Sequence, residues 1–242
     1  MSNYRDRFLN QSLLSTIAQS ICLPSICTLC NQYHNGKLAI CMQCQEHLTP
    51  IGHACYHCAL PLTAGYFLIC GQCCKKKPYV DQLIAAYCFV EPLRTLLHEF
   101  KYQEGLYLCA FLAALIADVI TPDARKTECL IPVPMHPQRL RQRGFNQAAE
   151  LAKKLGQTLK LPHEQACCIK KINTAPQISL NEKERKKNLA NTFYTEPLKY
   201  KHVTIIDDIV TTGSTVNALA EALKKQGGVK KVDVWCCART SL

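Results

Sequence analysis

The sequence predicts an α/β protein in which a parallel sheet follows a small cysteine-rich module. From about residue 79, β-branched runs alternate with helical patterns, which is typical of parallel strands joined by helical crossovers. Before that point, cysteines recur in C-x-x-C pairs. A chain of 242 residues has room for one medium domain and one small domain.

The expected strands and helices follow one another along residues 79–242. Strands are expected at 83–90, 129–134, 166–171, 202–207 and 232–238, and helices at 92–101, 106–120, 145–159 and 215–226. In such a sheet, ligands bind beyond the carboxyl ends of the strands. The segments that follow residues 134 and 207 are therefore candidate parts of a site.

Eight of the seventeen cysteines form four C-x-x-C pairs at near-equal spacing. The pairs are Cys27 with Cys30, Cys41 with Cys44, Cys55 with Cys58, and Cys70 with Cys73. Two pairs supply the four thiolates of one closed tetrahedral zinc site, so the pattern predicts two structural zinc ions and a double zinc ribbon over residues 27–78. Cys22 and Cys74 lie beside these pairs and leave the identity of the ligands open.

Two other interpretations of the cysteine pairs compete with zinc. Disulfides need an oxidising compartment, and the sequence shows no secretory signal. A redox-active C-x-x-C is the second alternative, and the presence of four copies argues against it. Zinc therefore remains the favoured interpretation.

Residues 203–216 give the strongest functional signal. A β-branched strand leads into two adjacent acids and then into a short hydroxyl-rich loop at the start of a helix: Asp207, Asp208, Thr211, Thr212, Gly213, Ser214 and Thr215. Backbone N–H groups of such a loop and of a helix N-terminus bind phosphate, and the hydroxyls add donors. Carboxylates just before the loop suit sugar hydroxyls or a metal held by the same ligand.

Two other interpretations of this segment compete with a phosphate site, and only one of them is excluded by the sequence. An ATP-type phosphate loop is excluded, because Gly-Lys-Ser/Thr is absent from the chain. An ordinary βα turn with a serine or threonine cap stays open.

The chain is basic, with a formal net charge of +11, so an anionic partner is expected. Basic residues cluster at 75–77, at Arg139, Arg141 and Arg143, and at 183–187. We expect the arginines to lie in a tight loop after the strand at 129–134, and their guanidinium forks suit phosphate and pyrophosphate oxygens. Residues 173–193 have the composition of a mobile flap over an anionic substrate or of a solvated loop. Solvated surface charge is the alternative for each cluster.

The first 26 residues show apolar side chains at roughly helical spacing, interrupted by polar ones. We expect an amphipathic helix over 1–26, followed by the ribbon module at 27–78 and the α/β domain at 79–242. No run approaches the length of a transmembrane helix, and we expect a cytoplasmic protein.

Several motifs together resemble the ComF/GntX family. They are the four cysteine pairs, residues 100–102, the stretch 133–147 with Arg-Gly-Phe-Asn-Gln, the positions Gln177, Arg185 and Asn188, the loop 205–216, and the closing residues 234–240. One departure is Ile172, where relatives often have arginine. The resemblance implies a zinc ribbon joined to a domain of the type I phosphoribosyltransferase kind.

The resemblance also implies a ligand, phosphoribosyl pyrophosphate (PRPP) with magnesium. In such a site Asp207 and Asp208 hold the ribose 2′ and 3′ hydroxyls, and the loop of residues 211–215 holds the 5′-phosphate. Arg139 and Arg143 then face the pyrophosphate. Since some proteins with this loop bind PRPP only as a ligand, catalysis does not follow from the resemblance.

Family members are associated with natural transformation, where they act on incoming single-stranded DNA. The resemblance thus implies a DNA-uptake factor with single-stranded DNA and the DNA-uptake machinery as partners. The alternative is an active phosphoribosyltransferase that moves phosphoribosyl from PRPP to an unidentified nitrogen nucleophile and releases pyrophosphate.

Overall fold

The computed structural model describes residues 25–63, 65–170 and 192–240. The chain divides into two compact units, Met1–Glu46 and His47–Leu242. The helix expected over 1–26 lies outside the described residues except for its last two positions, which belong to a strand. The boundary expected between residues 78 and 79 stays a prediction.

The first unit is a small cysteine knuckle. Strands β1 (Ser25–Ile26) and β2 (Tyr33–His34) pair antiparallel, with Ser25 opposite His34, and helix α1 (Met42–Gln45) follows. Its described buried apolar residues are Cys27, Ile40 and Cys41. Such a core is too small to stabilise a fold by hydrophobic burial alone.

The second unit is built on a four-stranded sheet. Its strands are β3 (Gln82–Cys88), β4 (Cys129–Pro132), β7 (His202–Val210) and β8 (Lys231–Arg239). The strand order is β3-β8-β7-β4 and every pair is parallel, which confirms the predicted α/β class. Strand β7 runs three residues further than expected, so both acids lie inside it.

One expected strand does not join this sheet. Strand β5 (Cys168–Lys170) pairs antiparallel with β6 (Phe193–Thr195), and the two form a separate two-stranded sheet. Strand β6 was not predicted from the sequence, because only three of its residues pair.

The second unit contains six described α-helices. They are α2 (Gly71–Lys75), α3 (Leu93–Glu99), α4 (Cys109–Val119), α5 (Pro137–Arg143), α6 (Gln147–Leu159) and α7 (Ser214–Lys225). A 3-10 segment, Gln103–Leu108, precedes α4, so the helix expected from residue 106 begins later. Helices α4 and α6 pack together against the sheet, and α7 packs against β7 and β8.

The sheet separates two apolar layers. Val203 and Ile205 of β7 share a buried cluster with α7 residues such as Leu219. On the other face, the Cys237 thiol of β8 donates to the Leu112 carbonyl of α4 at 3.6 Å. Alternate strand residues thus face opposite helical layers, as the period-two geometry of a strand requires.

The arginines predicted to lie in a tight loop instead lie on a short helix, α5. The His136 ring accepts a hydrogen bond from the Gln138 N–H at 3.2 Å, and Pro137 occupies the first helical position. Gly144 ends the helix at a φ of 84°, in the left-handed region that glycine tolerates. These start and stop signals give the segment a helical form that its charge pattern alone did not indicate.

Candidate functional site: an anion-binding sheet edge and two four-cysteine clusters

Strand β7 carries the two acids to the carboxyl edge of the sheet. The Asp207 carboxylate accepts a hydrogen bond from the Asp208 N–H at 3.0 Å, and the Asp208 carboxylate accepts one from the Ile209 N–H at 2.9 Å. Both residues are half-buried. Two carboxyl groups therefore stand side by side at the edge where ligands of parallel sheets bind.

The environment of Asp207 disfavours its charged form. Burial raises the pKa of this carboxyl well above its usual range, and the neighbouring Asp208 raises the pKa further, whereas Lys101 lowers it. A carboxyl pair of this kind gains from a bound cation or from hydroxyl donors, because both relieve the repulsion. The acids are thus suited to a sugar diol or a metal-bound ligand.

The loop after β7 opens onto the N-terminus of α7. Gly213 has a φ of 77°, and α7 begins at the next residue. The Thr212 and Ser214 hydroxyls lie 2.9 Å apart, and the Ser214 N–H donates to Thr212 Oγ1 at 3.3 Å. Thr211, Thr212 and Ser214 are exposed, so their donors are accessible to an anion at a helix N-terminus.

The arginine helix follows the neighbouring strand. Strand β4 pairs with β7 so that Pro132 lies opposite Ile206, one residue before the acids. Arg143 Nη1 donates to Gln147 Oε1 at 3.0 Å, and Gln147 Nε2 donates to the Lys101 carbonyl at 2.9 Å. This chain of hydrogen bonds links α5, the start of α6 and the segment of Lys101.

Lys170 is a basic residue of this region that sequence reasoning did not select. Burial lowers the pKa of its ammonium group, the nearby Arg139 lowers it further, and Asp207 raises it. These influences place the charges of Lys170, Arg139 and Asp207 in one electrostatic neighbourhood. The sequence offered only a basic residue at the end of a short strand, and that strand lies outside the main sheet.

A cavity of about 650 Å³ lies beyond the end of β4. Pro132, Met135, Phe145, Asn146, Gln165 and Lys170 are among its lining residues. Most of its wall is apolar, and Glu150 and Lys170 supply charged groups. Its size and composition are those of a pocket for a small molecule.

The cysteine pairs form two clusters, as the sequence predicts. Within each cluster the four thiol sulfurs lie within 4.8 Å of one another, and the described cysteines are free of disulfides. The first cluster is Cys27, Cys30, Cys41 and Cys44, and the second is Cys55, Cys58, Cys70 and Cys73. A closed set of four sulfur donors fits structural zinc.

Backbone donors prepare both clusters for metal. The Cys41 N–H donates to Cys27 Sγ at 3.4 Å, and the Cys70 N–H donates to Cys55 Sγ at 3.3 Å. Burial raises the pKa of Cys27, but backbone hydrogen bonds outweigh this effect and lower the pKa to about 6. The same balance lowers the pKa of Cys55 to about 7. One thiolate of each cluster is therefore accessible near neutral pH. Burial raises the pKa of Cys44 and Cys73, so a metal ion must displace protons to bind all four sulfurs of a cluster.

The neighbouring histidines have other partners. His34 Nδ1 accepts from the Gly36 N–H at 3.1 Å, and the rings of His53 and His57 hydrogen-bond to the carbonyls of Phe67 and Asp81. None of these histidines belongs to either four-cysteine cluster. Cys74 is exposed and lies outside the second cluster, and Cys22 falls outside the described residues.

Known proteins resemble the chain along most of its length. Competence protein F of Haemophilus influenzae is 33% identical over 216 residues, which cover 85% of this chain and 93% of that protein. The chain belongs to the ComF-like family.

Two further relatives of this ComF-like chain carry related names. DNA utilization protein YhgH of Escherichia coli K12 is 32% identical over 225 residues, covering 90% of this chain and 98% of that protein. Competence protein ComFC of Bacillus subtilis is 25% identical over 218 residues, covering 83% of this chain and 84% of that protein. No protein-family model matches the chain.

In this ComF-like chain the second four-cysteine cluster is attached to the parallel sheet. The Leu83 N–H donates to the Tyr56 carbonyl at 3.0 Å, and the His57 ring hydrogen-bonds to the Asp81 carbonyl at 2.7 Å. Arg239, the last residue of β8, donates from Nε to the Cys58 carbonyl at 2.8 Å. The cluster and the sheet therefore belong to one packed unit.

Some expected features lie outside the described residues. They include Gln177, Lys183, Arg185, Lys186, Lys187 and Asn188, and with them the flap expected over much of 173–193. Within the described part of the chain, no helix has the length and apolar content needed to cross a membrane.

Proposed function

We propose that this ComF-like chain takes part in DNA uptake, where it handles incoming single strands and binds PRPP with magnesium at the edge of its sheet. The observation that carries the PRPP proposal is the meeting of two carboxyl groups, a hydroxyl-rich helix N-terminus and basic side chains at one edge. Each matches one part of PRPP: the ribose diol, the 5′-phosphate and the pyrophosphate.

Each group of residues is proposed to bind one part of PRPP. Asp207 and Asp208 accept hydrogen bonds from the ribose 2′ and 3′ hydroxyls. The loop of residues 211–215 donates its N–H groups and hydroxyls to the 5′-phosphate. Arg139 and Arg143, together with Lys101 and Lys170, neutralise the pyrophosphate. Magnesium, when bound with PRPP, supplies positive charge to the same oxygens.

The PRPP proposal is tested by calorimetric titration with PRPP in the presence of magnesium. Wild type should bind, and the double variant Asp207→Asn, Asp208→Asn should lose affinity. A charge-assisted hydrogen bond is worth roughly 1.5–3 kcal/mol, so losing two should weaken binding by about two to four orders of magnitude. Asp118→Asn, at an exposed position of α4, is the matched control. Equal affinity in the double variant would contradict the proposal.

The DNA part of the proposal rests on the relatives' names and on charge. The proteins named for competence and DNA utilization align with 83% to 90% of this chain. The formal net charge of +11 suits a polyanion. Cysteine thiolate clusters need a reducing compartment, and this requirement supports a cytoplasmic location.

Fluorescence anisotropy with labelled single-stranded DNA tests this part. Binding should be measurable at about 50 mM salt and should fall steeply as salt rises, because phosphate contacts release counterions. Reversing charge at Arg185, Lys186 and Lys187 should flatten the salt slope by about 2. The matched control reverses charge at the exposed Lys153, Lys160 and Lys230. If wild type does not bind at low salt, the DNA proposal is wrong.

The cavity beyond β4 favours a second candidate function, phosphoribosyl transfer. Its volume of about 650 Å³ leaves room for an acceptor beside the basic residues. A nitrogen nucleophile would form a bond to the anomeric carbon as the bond to pyrophosphate breaks, and the cations of the site would stabilise the departing charge. Pyrophosphate release from PRPP on addition of nitrogen bases would support transfer. No release with any base, in protein that binds PRPP, would leave PRPP as a ligand only.

A further inference from the structure

Arg239 is a buried cation with an unusual set of partners. Only 2% of the residue is exposed. Its guanidinium donates to the main-chain carbonyls of Cys58 at 2.8 Å, Val210 at 3.3 Å and Thr240 at 2.7 Å, to the Thr211 carbonyl, and to Thr240 Oγ1 at 3.4 Å. A buried charge is costly unless hydrogen bonds compensate it, so these carbonyls are fixed as much as the arginine is.

The partners of Arg239 belong to two separate functional features. Cys58 is a member of the second four-cysteine cluster. Val210 ends strand β7, and Thr211 begins the loop of residues 211–215 that is proposed to bind phosphate, called the phosphate loop below. Arg239 therefore bridges a thiol cluster and an anion site that lie far apart in the sequence. The Arg239 side chain alone makes both sets of contacts.

Packing reinforces the same bridge. Ala59, the residue after Cys58, is buried in the cluster that also contains Val210 and Val216. These two valines lie on either side of the phosphate loop. A shift of the Cys55–Cys58 knuckle would thus disturb the apolar support of the loop as well as the guanidinium.

The hydrogen bonds of Arg239 also decide which backbone groups the loop can present. The Val210 carbonyl accepts from Arg239 Nη1 and from the Thr240 N–H, and the Thr211 carbonyl accepts from Arg239 Nη1. An anion is repelled by carbonyl oxygens and attracted by N–H groups. With these carbonyls held by Arg239, the loop is left to offer N–H groups and hydroxyls to a phosphate.

We propose that Arg239 is a positioning residue that couples metal occupancy of the second four-cysteine cluster to PRPP affinity at the loop of residues 211–215. The proposal rests on the proposed PRPP binding. Four thiolates around Zn²⁺ fix the Cys55–Cys58 knuckle and leave a net negative charge near the guanidinium. The fixed Cys58 carbonyl holds Arg239, and Arg239 holds the entry of the loop.

Thermodynamic linkage turns this coupling into a measurement on the wild-type protein. If zinc at the second cluster favours PRPP, PRPP must favour zinc by the same factor. In an equilibrium competition with a colorimetric chelator, magnesium-PRPP should raise the apparent zinc affinity of one cluster, the second, by roughly fivefold to tenfold. The first cluster is the internal reference, and its apparent zinc affinity should not change.

Variants assign the effect to the cluster and to the arginine. In Cys30→Ser, which lacks a ligand of the first cluster, PRPP should still raise the zinc affinity of the remaining cluster. In Cys73→Ser, which lacks a ligand of the second cluster, it should not. Arg239→Lys keeps the charge, but a single ammonium cannot bridge both carbonyl groups. It should bind PRPP about tenfold more weakly, and PRPP should no longer protect its zinc. Arg125→Lys, at an exposed position, is the matched control.

The outcomes separate the two proposals. If PRPP binds wild type by calorimetry and both clusters keep their PRPP-free zinc affinities, the coupling is refuted and PRPP binding stands. If PRPP does not bind wild type, both proposals fail. If Arg239→Lys does not fold, the chelator experiment on wild type still tests whether zinc and PRPP binding are coupled. If Arg239→Lys retains full protection of its zinc, the coupling does not run through Arg239.

Discussion

Replacing Cys70 by serine should destabilise the α/β unit, whereas replacing Cys41 should not. The two cysteines are matched at the level of the metal site. Both are buried, and each donates its N–H to the first sulfur of its cluster, at 3.3 Å and 3.4 Å. They differ in the compact unit to which they belong, since Cys41 lies in Met1–Glu46 and Cys70 in His47–Leu242.

The expected size of the effect follows from the bonds that the second cluster makes to the sheet. Two neutral hydrogen bonds, from Leu83 N–H to the Tyr56 carbonyl and from the His57 ring to the Asp81 carbonyl, are worth about 0.5–1.5 kcal/mol each. The charged bond from Arg239 to Cys58 is worth about 1.5–3 kcal/mol. Losing all three lowers the free energy of unfolding by about 2.5–6 kcal/mol, and the Tm by about 5–20 °C.

Trp235 provides an assay specific to this unit. It is the single tryptophan of the chain and is fully buried in β8. Thermal unfolding followed by its fluorescence should show the lower Tm in Cys70→Ser and a wild-type Tm in Cys41→Ser. Metal analysis should give two zinc ions in wild type and one in each variant. An equal fall in both variants, or no fall in Cys70→Ser after loss of its ion, would refute the reasoning.

Three further predictions concern the sheet edge. Because the pKa of Asp207 is raised on folding, the protein loses stability as pH rises through that pKa. Asp207→Asn should therefore have a higher Tm than wild type at pH 8, with a difference that shrinks toward pH 4; a difference that grows toward low pH would reverse the assigned sign. Gly213→Ala should lower the free energy of unfolding in urea by about 1–2 kcal/mol, because residue 213 has a φ of 77° while the added Cβ meets only a Val210 methyl at 3.9 Å. Gly213→Asn should lower it less, because asparagine tolerates a positive φ better than alanine. Equal losses in the two variants would point to a steric clash instead. Lys170→Gln should weaken magnesium-PRPP binding in calorimetry by about one to two orders of magnitude, the equivalent of one charged hydrogen bond; unchanged affinity would remove Lys170 from the site.

The features that the sequence predicted are those encoded by neighbours in the chain. The C-x-x-C spacing determined which eight cysteines cluster, since each pair is local and each cluster needs only a short hairpin. The order of strand, acids, glycine and helix around Asp207 and Gly213 was also local. The start and stop signals of α5 at Pro137 and Gly144 are equally local, whereas the expected loop rested on the arginine charges between them.

The tertiary structure decided which distant residues meet. Lys101 and Lys170 come into the electrostatic environment of Asp207 because crossovers bring separate segments to one edge. Strand β5 pairs with β6 rather than with the main sheet, a choice that depends on competing partners and not on its own composition. The contact between Arg239 and Cys58 joins residues 181 positions apart. Local propensity carries no information about such a pair, because the strand order β3-β8-β7-β4 and the docking of the second cluster set the distance between them.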